Sequence, residues 1–64
     1  MDSAKRIQLI HDFRYYEPKA LRMADFSRHE EVQSIYSRFI DAVDNNQEEL
    51  ADEALNELIR IAGE

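Results

Sequence analysis

The 64-residue sequence has no cysteine and no tryptophan, one glycine and one proline. Without cysteine there can be no disulfide and no thiolate metal site. One glycine and one proline leave little material for the turns of a β protein, and no segment alternates apolar and polar residues as a strand would. Long apolar runs are missing too, and nothing approaches the roughly 18 residues of a membrane span. Met1 to Ile10 has Lys5 and Arg6, but only Ile7-Gln8-Leu9-Ile10 follows before Asp12 and Arg14, so it does not read as a secretory leader. The expectation is a soluble, cytoplasmic protein with no membrane role. At this length one domain, residues 1–64, is expected. Such a domain buries only about 60% of its unfolded surface, so a small scaffold of this kind often relies on a staple or a partner.

Positive charge is scarce in the second half. Residues 1–29 carry six basic and four acidic side chains, and residues 30–64 carry two basic and ten acidic, within a formal net charge of −6. Binding to phosphate backbones needs clustered positive charge, so the C-terminal half is not a nucleic-acid surface. The same asymmetry permits attraction to a basic partner, or to the basic end of a second copy.

What the sequence does have is helical periodicity. Val32, Ile35, Tyr36, Phe39, Ile40 and Val43 recur at intervals of three and one, which predicts a helix from Arg28 to about Val43. Leu50, Ala51, Ala54, Leu55, Leu58, Ile59, Ile61 and Ala62 predict a second, stopped by Gly63. The joint Asp44-Asn45-Asn46 is short enough to force an antiparallel hairpin over residues 27–64. Ser27 with Glu30, and Asn46 with Glu49, have capping-box spacing. Phe26 is placed to act as a hydrophobic staple on Val32.

The N-terminal segment, residues 1–26, reads as a first helix capped by Asp2 or Ser3. It is expected to break near Pro18, because the residue before a proline is pushed out of the α region. Pro18 would then open a short helix to about Asp25, with Ala20, Leu21, Met23 and Ala24 on its apolar side. The expected fold is all-α: a small helical bundle built on the hairpin. Each hairpin arm has a wider apolar arc than the other arm can cover. The N-terminal segment or a second subunit must cover the rest.

Candidate sites are few. His11-Asp12 and His29-Glu30-Glu31 are sequence neighbours, and adjacent helical residues point apart, so no metal site is expected. The sequence contains no glycine-rich phosphate loop and no nucleophile–base spacing. A chain this short also has little room for a closed pocket. No enzyme activity and no cofactor are expected. Phe13-Arg14-Tyr15-Tyr16 mixes aromatic and basic residues of the kind enriched at interface hot spots. Phe13 and Tyr16 are expected in the core, leaving Arg14 and Tyr15 as partner-binding candidates. Glu49, Glu53 and Glu57 form an i,i+4 acidic ladder, a solvated face or a strip for a basic partner.

The function these features suggest is a small protein-interaction module, a regulator or inhibitor that binds another protein by helix packing. Self-association into a homodimer would cover surplus apolar surface. An alternative is an acidic protein that mimics nucleic acid or blocks a basic cleft. A weaker alternative is nucleic-acid binding through the N-terminal half.

Overall fold

Asp2 starts the first helix. Its backbone is extended and its carboxylate accepts the N–H of Lys5 at 2.7 Å, satisfying one of the donors that a helix start leaves open. In the computed structural model, which describes residues 1–63, helix α1 runs over Ser3–Met23. A 3-10 turn, Phe26–Arg28, leads into α2, His29–Asp44, and a tight joint leads into α3, Glu48–Ile61. The architecture is an all-α bundle, with α2 packed on α3 and α1 laid mainly along α3.

The expected break at Pro18 is not there. Proline has no N–H to donate back to Arg14, and its ring crowds that carbonyl, a cost of about 3 kcal/mol in a helix interior. The helix nevertheless continues through Pro18 as one element. Burial on both sides of the proline is the reason. Leu9 and Phe13 are buried before it, and Ala20 and Ala24 after it. Only a continuous helix keeps these four on one stripe. Leu21 and Met23, expected on the apolar side, are exposed instead.

The capping signals shifted as well. Ser27 donates its hydroxyl to the Asp25 carboxylate at 2.7 Å and caps no backbone N–H. Asp25 is the extended residue that starts the 3-10 turn, and α2 grows directly out of that turn through Arg28 in the α region. No extended residue remains at the start of α2 for a capping box to use. Phe26 falls inside the turn, so it cannot staple to Val32, and it is 90% exposed.

Asn46 serves the end of α2 instead of the start of α3. It adopts φ +58°, a left-handed conformation that asparagine tolerates better than most residues. Its N–H reaches the Val43 carbonyl at 3.2 Å, and the N–H of Gln47 reaches Ala42 at 2.8 Å. Those two bonds make a Schellman stop, which satisfies carbonyls left open at the end of α2. Helix α3 then starts after Gln47 without a side-chain cap. Gly63 follows the end of α3 as expected, at φ +89°, with its N–H on the Arg60 carbonyl at 3.1 Å.

The core joins all three helices. Phe39, Leu9, Ile35, Leu58 and Val32 are its largest fully buried side chains. Phe13 of α1 stacks on Phe39 with centroids 4.3 Å apart and planes 24° apart. Such pairs add about 0.5–1.5 kcal/mol beyond the area they bury. Alanines 20, 24, 51, 54 and 62 are also buried, and small side chains let helices approach closely. Ion pairs from Lys5 to Asp52 at 3.4 Å and from Arg6 to Asp44 at 3.8 Å tie the start of α1 to both arms of the hairpin. The N-terminal segment therefore supplies the second neighbour that each arm required.

Two substitutions test this packing. Phe39→Ala should lower the unfolding free energy by about 3–5 kcal/mol, measured by urea denaturation. A variant that melts like the parent would mean Phe39 is not core. Pro18→Ala restores a donor to the Arg14 carbonyl and should raise stability by roughly 1–3 kcal/mol. A lower melting temperature for that variant would contradict the uninterrupted helix.

Candidate interaction surface

Because α1 leans on α3, its contact with α2 is thinner. A furrow is left open along the α1–α2 seam. At its centre it is lined by Ile10, Phe13, Arg14, Tyr36, Phe39 and Ile40. Tyr36 also belongs to the next depression along the seam, with Glu17, Leu21, Val32 and Gln33. Gln33 is shared in turn with a third depression, beside Phe26, His29 and Glu30. The three form one path from the middle of the bundle to the 3-10 turn.

The floor of this path is aromatic. Phe13 meets both Phe39 and Tyr36, with its ring centre 5.9 Å from that of Tyr36. Phe13 and Phe39 are buried, whereas Tyr36 is 45% exposed. At the corner, a ring nitrogen of His29 lies 3.1 Å from the Leu21 carbonyl. A ring N–H donated there satisfies one of the carbonyls open at the end of α1. That bond fixes the corner, and the Phe26 ring stands 5.9 Å from the His29 ring.

The five candidate residues do not share one place. Arg14 lies on the lip of the furrow. Tyr15 is 64% exposed and meets the Tyr16 ring edge-on at 4.9 Å. One residue apart on a helix, Arg14 and Tyr15 point about 100° apart, so Tyr15 does not line the furrow. Phe13 is buried and Tyr16 half-buried against the core, as their spacing suggests.

Glu49 and Glu53 are exposed on α3, which contributes no residue to the furrow's lining. Glu53 borders a shallow depression with Arg38 and Arg60. Glu57 is not part of a free ladder, because the Arg38 guanidinium lies 2.6 Å from its carboxylate. This pair is partly exposed, and such pairs contribute about 0–1 kcal/mol. It neutralises one rung of the strip.

The charge pattern follows the helices. Helix α1 holds five basic and two acidic side chains, α2 one basic and four acidic, and α3 one basic and five acidic. His11 is well exposed, 3.7 Å from the Asp12 carboxylate. Among the described residues no three histidine or acidic side chains gather as metal ligands would. No helix among them is long and apolar enough to cross a membrane.

Sequence reasoning missed Tyr36, Leu21, Phe26 and Ile7 as surface residues. Tyr36 and Leu21 were read as parts of apolar sides and Phe26 as a staple on Val32, so none was singled out for the surface. A usable signal was present in α1: Ile7, Ile10, Arg14, Glu17 and Leu21 fall at alternating intervals of three and four, a stripe of its own. No known family model, curated protein or solved structure matches this chain. Its surface is therefore the basis for any functional reading.

Proposed function

We propose that this protein is a small non-enzymatic interaction module that binds another protein through the α1–α2 furrow, acting as a regulator or inhibitor of that partner. The observation that carries this reading is the furrow itself: an aromatic floor of Phe13 and Phe39, a half-open Tyr36, and a charged lip at Arg14. Tyrosine and arginine beside a buried apolar floor are the composition of interface hot spots. A groove between two helices suits the apolar face of a third helix. The mechanism is occupancy: the partner's helix fills the furrow, and the partner surface so covered is withdrawn from other contacts.

A second reading has its own support. Glu49 and Glu53 are exposed, and the α2–α3 hairpin has a large acidic excess. That surface would suit a basic cleft, imitating nucleic acid. The Arg38–Glu57 pair weakens this reading, because it removes one charge from the strip.

One experiment separates them. Tagged parent protein and variants are used to capture partners from the native host, with mass spectrometry as readout. Tyr36→Ala should reduce capture of the partner at least about tenfold, with little change between low and high salt. If Tyr36→Ala captures as the parent does, the furrow reading is wrong. Loss of capture in the Glu49→Gln/Glu53→Gln double variant, with steep salt dependence, would favour the acidic reading.

A further inference from the structure

We infer that the face bearing the α1–α2 furrow is covered, in the isolated protein, by a second copy of this chain, related by a two-fold axis that passes over α1 midway between Arg14 and Glu17. The inference rests on reading that face as a protein interface, and it names the partner.

The stripe on α1 is self-complementary. Read outward from the midpoint between Arg14 and Glu17, one direction gives a cation and then Ile10, the other an anion and then Leu21. A two-fold axis lying in the face, perpendicular to the helices, sets two copies of α1 antiparallel. Arg14 then meets Glu17 of the second copy, Glu17 meets its Arg14, and Ile10 meets its Leu21. An isologous contact requires this kind of self-match. Within one chain Arg14 and Glu17 have no ion-pair partner among the described residues.

Helix α2 gives a second, independent match about the same axis. Arg6 pairs with Asp44, and Leu21 bonds His29, so α1 and α2 run antiparallel with those residues at equal heights. On that alignment, the level midway between Arg14 and Glu17 falls midway between Gln33 and Tyr36. The axis therefore brings Gln33 of one copy to Tyr36 of the other, an amide to a phenol, with a hydrogen bond available at each of the two symmetric places.

The most exposed apolar side chains on this face fit the same operation. Phe26 is 90% exposed beside the furrow's corner end, and Ile7, 67% exposed, continues the α1 stripe at its other end. The axis exchanges the two ends, so Phe26 of each copy comes over the Ile7 end of the other. The bundle's two longest extents, 35 × 17 Å, set an upper limit of about 600 Å² on any one face in projection, on the order of 1,200 Å² for two copies and at the low end of specific interfaces. The expected dimer is therefore reversible and concentration-dependent.

The test is analytical ultracentrifugation of the full chain with charge reversals at exposed or half-exposed positions, where folding is easily checked by circular dichroism. The parent should pass from monomer to dimer with rising concentration. Arg14→Glu and Glu17→Arg singly place like charges at two symmetric contacts and should each weaken the dimer at least about tenfold. The double reversal restores opposite charges and should restore the dimer. As a register check, an equimolar mixture of Ile10→Cys and Leu21→Cys should form mixed disulfides in excess over either like pair, in a chain with no other thiol. A parent that stays a compact monomer at millimolar concentration overturns the inference, as does a double reversal that fails to recover, or like-pair disulfides in excess. A monomer whose Tyr36→Ala variant still loses a captured partner would overturn the second copy alone and leave the furrow as an interface for a different protein.

Discussion

The seating of Phe13 on Phe39 is the contact on which the arrangement of this bundle depends. The α2–α3 hairpin alone is an open layer with one apolar side, and one helix must close it. Phe13 provides the large side chain that locates α1 on that layer, because its ring stacks on Phe39 and reaches Tyr36 as well. Once it is seated, Leu9 one turn before and Ala20 two turns after fall on the same stripe and become buried. The cost of carrying Pro18 inside the helix is tolerated because breaking there would release Ala20 and Ala24 from the core.

Electrostatics bias the same docking. A helix with an excess of cations lies against two helices with an excess of anions. The Lys5–Asp52 and Arg6–Asp44 pairs that link α1 to the hairpin are exposed and individually weak. Their value is in register: both sit at one end of α1, about one turn before the buried Leu9. Apolar packing fixes the middle of α1, and charge discourages it from lying reversed.

The sequence made the hairpin legible because its arms have strong, uninterrupted periodicity. Val32, Ile35, Phe39, Leu55 and Leu58 are buried as their spacing indicates. Boundary details were less legible, for a common reason. A capping pattern in sequence does not say which of two adjacent helices it serves, and the left-handed Asn46 closes α2 where it had seemed placed to open α3. The Ser27 pattern failed because a 3-10 turn moved the extended residue back to Asp25. Pro18 misled because local cost was visible and the burial offsetting it was not. At the surface, Arg14 was legible by composition, whereas Tyr36 and Leu21 were hidden by their own periodicity. Periodicity says which side of a helix is apolar, but not how completely a neighbour covers it.

That incomplete cover follows from geometry. Three helices around one core cannot all approach equally when one pair is lined by small residues. Ala20 of α1 and Ala51 and Ala54 of α3 are buried, whereas Phe13, Tyr36 and Phe39 place three rings at the α1–α2 seam. The furrow is thus a consequence of core composition and not a separate feature added to the fold. Replacing the rings with smaller residues would let α1 settle toward α2, closing the furrow while loosening the core. The residues that make the bundle stable are also those that keep its open face open, so stability and binding on this face are expected to be coupled at Phe13 and Phe39. They are separable only at its rim, where Arg14 and Glu17 contribute little to the core.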